Sequence, residues 1–322
     1  MKKNILNRKK LKRKNKDIDI LCVGEVLIDF IGHQTDVLIN DTRDYHRYLG
    51  GSPTNVAMNS SRLGLKAMMV GTVGNDGFGD YILERLKNVN VLTDNIKKLK
   101  AEPTSVVFVS RSKGTPDFIP FREADSFITE DQIPKSVLQK TNIFHTTCFA
   151  LSKEPAQATI LKKAAEAFNL GCKLSIDLNY AKKLWNSQEE AISVIKTYSK
   201  FNPLMKISDD DLLRLFGKKL PHQEIFDFFH NLGVDTICLT LGKNGVKLSQ
   251  LGKETIVLPA IKIEKVMDTT GAGDAFWSGF LYAYIKEKSI EDCLQVALKL
   301  AALKLQNVGR LPDNINILSK LL

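Results

Sequence analysis

An α/β sandwich with a mostly parallel central sheet, carrying a small β-sheet lid, is the fold this sequence predicts, and three observations predict it. Strand-like and helix-like runs alternate along most of the chain. Two stretches, Ile31 to Leu49 and Thr104 to Phe121, break that alternation with short strands and turns. Several helical patterns stop at a glycine, as at Gly64, Gly171 and Gly233.

In chain order, Ile18 to Val23 reads as the first strand. Asn55 to Leu63 follows as a helix closed by Gly64, then Ala67 to Val70 as strand and Tyr81 to Asn88 as helix. The alternation resumes after Pro134. Ile143 to Thr147 is strand, Pro155 to Asn169 helix, Lys173 to Ile176 strand, and Ser187 to Tyr198 a helix capped by Ser187. Leu204 to Ile207 is strand, Asp209 to Phe216 and Pro221 to Leu232 are helices, and Thr236 to Leu241 is strand. The two irregular stretches, the second with Ser112 to Asp117 as its hairpin connection, predict a lid over a site that excludes water.

At 322 residues the chain predicts a short basic tail, residues 1–16, and one domain over 17–322. The formal charge of +10 suggests nucleic acid until it is located. Lys2, Lys3, Arg8, Lys9, Lys10, Lys12, Arg13, Lys14 and Lys16 crowd the tail without one acid, so the remainder nearly balances its 36 acids. The tail reads as a solvated arm, and no specific nucleic-acid partner is expected. Asp17, Asp19, Glu25 and Asp29 interrupt any secretory apolar stretch, and no run offers the ~20 apolar residues of a membrane helix. Five scattered cysteines without a CxxC pair fit reduced core positions of a cytoplasmic protein, and five histidines make no zinc spacing.

The run Asp268-Thr269-Thr270-Gly271-Ala272-Gly273-Asp274-Ala275-Phe276 sets small residues and a carboxylate where an apolar helix, Ala275 to Tyr284, begins. Gly271, Ala272 and Gly273 are expected in its first turn, whose N–H groups lack intrahelical partners and suit a phosphate. Asp274 then stands beside that anion with a proton-accepting oxygen. The same run also reads as an ordinary loop-to-helix cap, so its company decides.

No GxxxxGK[ST] occurs, and no GxGxxG follows the first strand, so a P-loop and a dinucleotide fingerprint fall away. The first strand instead ends Gly24-Glu25-Val26-Leu27-Ile28-Asp29-Phe30. Leu49-Gly50-Gly51-Ser52-Pro53-Thr54-Asn55-Val56-Ala57 sets two glycines before a helix with Thr54 as its expected cap. Asp29 and Asn55 are hydroxyl-binding types, because carboxylates accept and amides both donate and accept.

Together these residues resemble the ribokinase-like (PfkB) sugar kinases. The amino-terminal family pattern matches Gly50-Gly51 through Asn55-Val56-Ala57 and continues in Gly71 to Gly79. The carboxy-terminal pattern matches Asp268 to Phe280, and the resemblance runs from Ile18 to about Leu311. Phe121-Arg122, Ile143-Phe144-His145, Leu184-Trp185 and Lys206-Ile207-Ser208 are similar to fructokinase segments in particular. The resemblance implies a ribokinase-like three-layer sandwich and ATP-dependent phosphorylation of a small sugar, fructose first. It assigns the base to Asp274, phosphoryl-charge donors to Gly271, Ala272 and Gly273, and sugar contacts to Asp29, Gly51, Asn55 and Arg122. Thr240, Gly242, Gly245 and Asn307 would contact ATP. Mg²⁺ would bridge its phosphates near Asp211, with a monovalent cation such as K⁺ at the Asp268 loop.

Two departures bear on these assignments. Where relatives carry Asn-x-x-Glu, this chain has Ser208-Asp209-Asp210-Asp211, whose last carboxylate is shorter. Where many fructokinases and 2-keto-3-deoxygluconate kinases carry Asp-x-Asn-x-Arg, Asp177-Leu178-Asn179-Tyr180-Ala181 lacks the guanidinium, which disfavours an acidic sugar unless Lys182 or Lys183 substitutes. A 2-keto-3-deoxygluconate, other hexose or nucleoside kinase is the alternative within the class, and an inactive kinase-like regulator the alternative outside it. The intact Gly271 to Asp274 run favours an enzyme. An exposed face of the lid offers a second copy a pairing surface. His145 reads as a packed strand residue, and Lys97, Lys98 and Lys100 as a solvated face.

Overall fold

The computed structural model describes residues 16–111, 117–307, 309 and 311–312. Fifteen of the sixteen tail residues and the expected connection at 112–116 lie outside the described residues. The strands are β1 (Ile18–Val23), β2 (Leu27–Thr35), β3 (Tyr45–Gly50), β4 (Ala67–Gly74), β5 (Ile96–Leu99), β6 (Val106–Arg111), β7 (Phe118–Phe121), β8 (Thr141–Thr147), β9 (Lys173–Asp177), β10 (Leu204–Ser208), β11 (Thr236–Thr240), β12 (Val246–Gln250) and β13 (Ile256–Leu258). The helices are α1 (Ser52–Arg62), α2 (Gly77–Lys87), α3 (Lys135–Gln139), α4 (Ala156–Asn169), α5 (Gln188–Ser199), α6 (Asp209–Phe216), α7 (His222–Asn231), α8 (Ala272–Ile285) and α9 (Ile290–Leu305).

The large sheet runs β13-β12-β11-β10-β9-β8-β1-β4-β5, parallel from β11 to β5, with β12 and β13 added antiparallel at one edge. Strands covered on both faces read as continuous apolar runs, which is why β1 and β4 lack polar alternation. Alternate residues of β1 feed different cores. Leu21 and Val23 pack with α4, α5, α6 and α7, whereas Ile20 and Cys22 pack with α1, α2, α8 and α9. The three layers expected from the alternation follow from that division.

The small sheet, β3-β2-β6-β7, is built from the two irregular stretches. Asp29 is its third β2 residue, not the end of β1 as the sequence suggests. The chain changes sheet at Gly24, whose φ is 154° and where a Cβ would meet Ala150 Cβ and Pro53 Cγ at 2.8 Å each. Strands β5, β12 and β13 and helix α9 add to the elements expected from the sequence. Lys97 and Lys98 sit on the edge strand β5, where they pair with Asp131 and Asp80. All five cysteines are buried, and none is in a disulfide. No described helix is long and apolar enough to cross a membrane.

The parallel strands end on one side of the sheet, and a crevice there is the usual ligand position in open α/β folds. Glu25 after β1, Thr147 on β8, Asp177 on β9 and Lys206 on β10 gather at that side, beneath the N-termini of α1 and α8.

Candidate active site

Two helix N-termini meet at one carboxylate. Asp274, in the first turn of α8, accepts Ser52 Oγ–H on Oδ1 at 2.7 Å and Asn55 Nδ2–H on Oδ2 at 2.8 Å, both from the first turn of α1. Burial pushes the Asp274 carboxyl above its ordinary range, and the Ser52 and Asn55 bonds with the Lys206 and Lys304 charges only partly offset that. Gly271 caps α8 in the left-handed region at φ 72° with no side-chain cap. The N–H groups of Gly273 and Asp274 thus have no intrahelical acceptor and face outward with the positive end of the helix dipole.

Below this turn lies a buried ion pair. Lys206 Nζ donates to Asp177 Oδ1 and Oδ2 at 2.8 and 2.7 Å, with side chains 6% and 2% exposed. A Cβ built on Gly273 would lie 3.3 Å from that Nζ, so the ammonium stands directly under the glycine turn. Burial lifts the Asp177 carboxyl to about 6 against the pull of Lys206. Burial also works to lower Lys206, but the Asp177 and Asp211 charges outweigh it and hold the ammonium charged.

A cavity of about 330 Å³ opens beside Asp274, lined on this side by Asp29, Asn55, Thr270 and Gly271. Asp29 reaches it because Gly50, two residues from its cross-strand partner Tyr48, has no side chain. A Cβ there would run into Asp29 Oδ2. Burial, then the Asp274 charge, raises the Asp29 carboxyl to about 7. Glu25, deeper still, accepts Ser52 N–H at 3.2 Å and Thr147 Oγ–H at 2.7 Å, and burial lifts it to about 8.

A carboxylate held at a bare helix N-terminus beside a cavity can accept a proton from a hydroxyl bound there. A family model described as pfkB family carbohydrate kinase matches residues 17–315. The chain belongs to that family. This pfkB kinase is 35% identical over 300 residues to an ATP-dependent 6-phosphofructokinase of Thermoanaerobacterium thermosaccharolyticum, spanning 93% of this chain and 91% of that one. It superposes on the fructokinase of Halothermothrix orenii with a TM-score of 0.79 at 35% identity, over 88% of this chain and 98% of that one. A sugar kinase from Pyrococcus horikoshii in complex with ATP matches with a TM-score of 0.81 at 28% identity, over 94% and 98%. The ribokinase-like fold and the kinase class implied by the two motifs both hold for this pfkB kinase.

The structure gathers Asp29, Asn55 and Gly271 around the cavity, bonds Asp274 to the lining residue Asn55, and sets Gly51 one residue before Ser52. Thr240, Gly242 and Gly245 lie apart from it, at the end of β11 and in the turn to β12. Asn307 joins the Asp268 loop through its carbonyl, which accepts Lys304 Nζ–H at 3.2 Å. Three expectations do not fit. Arg122 directs Nε and Nη2 to Asp125 Oδ2 and Nη1 to Phe149 O and Ser152 Oγ, so its guanidinium holds the end of β7 instead of facing the cavity. Asp211 closes a capping box with Ser208 and pairs with Arg214, so both of its oxygens already have partners within the protein. Thr54 does not cap α1 by its side chain. Gly51 is the cap residue, and the Thr54 hydroxyl donates to Glu25 O at 2.9 Å.

The Asp268 loop carries its own cation. Asp268 Oδ2 accepts Lys304 Nζ–H at 3.1 Å and Gly309 N–H at 2.9 Å, and Oδ1 accepts Thr270 N–H at 2.9 Å. Burial works to raise this carboxyl, but those bonds and the ammonium hold it below its usual range. Lys304 thus sets an ammonium in the same loop near which the resemblance implies a monovalent cation. Lys206, Lys304, Ser52 and Glu25 were not singled out from sequence. Of these only Lys206 left a signal, being a lone cation in the apolar strand run Leu204 to Ile207, which requires a buried carboxylate partner. His145, by contrast, is the packed residue it reads as. It shares a hydrogen bond with Ser175 Oγ, and burial with the Lys206 charge keeps its imidazole neutral down to about 3.

Proposed function

We propose that this kinase transfers the γ-phosphoryl of ATP to a hydroxyl of a fructose-type sugar, with Asp274 as the general base. The observation that carries the reading is the Asp274 carboxylate, held by Ser52 and Asn55 at the bare Gly271 to Gly273 turn beside a sugar-sized cavity. Asp29 and Asn55 orient the sugar hydroxyls, with the bare backbone at Gly51 allowing close approach. The attacking hydroxyl gives its proton to an Asp274 oxygen, and the Gly273 N–H, backed by Lys206, takes up charge on the transferred group. Thr240, Gly242 and Gly245 supply the bare turn on which the nucleotide lies, and the β3-β2-β6-β7 sheet closes over the sugar against water. When bound, ATP supplies the phosphoryl group and Mg²⁺ neutralises its phosphates. Among the described residues no three His, Cys, Asp or Glu gather around a metal, which suits an ion held mainly through phosphates and water. The relatives named 6-phosphofructokinase and fructokinase support a fructose-type acceptor.

Sugar-dependent ADP release, measured over a panel of ketohexoses and their phosphates across pH, tests this reading. Turnover should need the carboxylates ionised. Asp29, raised to about 7, gains a proton as pH falls through that value, and kcat/KM should fall with it. ADP release indifferent to every sugar would overturn the proposal. The Lys304 ammonium also predicts that replacing potassium by tetramethylammonium leaves kcat unchanged, and a saturable potassium requirement would count against that role.

A further inference from the structure

Helix α1 carries three polar side chains on one face. Ser52, Asn55 and Asn59 follow at spacings of three and four, which makes them neighbours along the helix, while Val56 and Ala57 pack into the apolar core beside them. Ser52 and Asn55 both reach Asp274. Asn59, one turn further from that carboxylate, lines the same cavity and is only 7% exposed.

An amide in that position ordinarily has partners. Buried polar groups are bonded almost without exception, because an unpaired one forfeits its bonds to water. Gln306 and Asn307, just past α9, show the usual recourse, donating to Ala302 O and Leu303 O four residues back. The Asn59 side chain makes no hydrogen bond among the described residues. Helix formation does not ask for it either, since asparagine is a poorer helix former than alanine. Its donor and acceptor are left for what enters the cavity.

The chemistry of the group selects that partner. A primary amide presents an acceptor oxygen and two donor hydrogens, and a hydroxyl can engage both ends, whereas an anion can use only the Nδ2 donors. The position sets the geometry. Residues 55 and 59 are displaced by about 6 Å along the helix axis, farther than neighbouring hydroxyls of one sugar reach and within the length of a hexose. Resting on the sugar-kinase reading above, we infer that Asn59 is a sugar-binding and specificity-determining residue, its amide pairing with an acceptor hydroxyl remote from the one that attacks. The sugar then lies along α1, with the attacking hydroxyl at Asp274 and the far hydroxyl at Asn59. An acceptor without that far hydroxyl leaves the amide unpaired again, which is how a hydrogen-bonding site rejects a close analogue.

Steady-state kinetics on the wild-type chain and on Asn59→Ala test this, with the best acceptor of the ketohexose panel and with its monodeoxy analogues. Alanine removes an unpaired amide and favours the helix, so the variant should fold with an unfolding midpoint equal to or above the parent's. It should raise the KM for the sugar about tenfold, with kcat and the KM for ATP retained. One analogue, missing a hydroxyl other than the one phosphorylated, should lose about tenfold in kcat/KM on the wild type and nothing against the full sugar on Asn59→Ala. That non-additivity places the amide on that hydroxyl. An unchanged KM for the sugar, or losses that multiply for every analogue, would overturn the assignment while leaving the sugar-kinase reading standing. A lowered unfolding midpoint would show the amide already held within the protein, and a rise confined to the KM for ATP would put it on the nucleotide, and either result overturns it too. No sugar-dependent ADP release with any acceptor would remove the kinase reading itself, and the role of Asn59 with it.

Discussion

Asp274→Asn is expected to fold and bind ATP as the parent chain does and to lose about 10²–10⁴-fold in kcat, the range that a positioned general base contributes. The amide is close to the carboxylate in shape, and both of its neighbours can be satisfied. Its oxygen can face Asn55 Nδ2, which only donates there, while its NH₂ faces Ser52 Oγ, which can turn and accept. The substitution also removes a partly desolvated charge and the repulsion that helps raise Asp29, so stability should hold or rise slightly. What the amide cannot do is take a proton from the attacking hydroxyl. Unchanged thermal unfolding and unchanged nucleotide titration, beside a collapsed single-turnover rate, are the expected results. Near-normal turnover would show that another group accepts the proton.

The cradle and base were legible because their chemistry is written in contiguous residues. Gly271, Ala272, Gly273 and Asp274 follow one another, and a helix must start after them for the N–H groups to be free. The alternation of strands and helices was legible for the same reason, since each element carries its own period. What failed were statements about partners distant in sequence. Arg122 reads as a sugar ligand from its motif, yet Asp125, Phe149 and Ser152 take up its nitrogens. Asp211 reads as a metal-side acid, yet Ser208 and Arg214 use both of its oxygens. The Lys304 to Asp268 pair joins residues 36 apart, and no local pattern marks it. The edge strand β13 has only three residues, none of them buried, too short a run to carry a period.

Lys206→Met should destabilise the protein by about 3–5 kcal/mol, because it leaves Asp177 buried without its cation. The loss should depend on pH in a stated direction. Without Lys206 the folded pKa of Asp177 rises above the about 6 that burial already gives it, so the folded state binds a proton the unfolded chain releases near 3.8. Stability of the variant is then greatest at low pH and falls as pH rises toward that raised value, and the gap to the parent should widen between pH 5 and pH 8. Activity should also fall, by about tenfold or about 1.4 kcal/mol in the barrier, even where the variant is fully folded, since the ammonium under Gly273 no longer supports charge on the phosphoryl group. The two effects separate in a second variant. Asp177→Leu combined with Lys206→Met replaces a buried ion pair by apolar side chains, which typically restores or exceeds the parent stability. If kcat stays low while the unfolding midpoint recovers, Lys206 acts on the chemistry through its charge. Recovery of both would leave it the role of holding β9 to β10, and the charge at the phosphoryl site would rest on the α8 N–H groups alone.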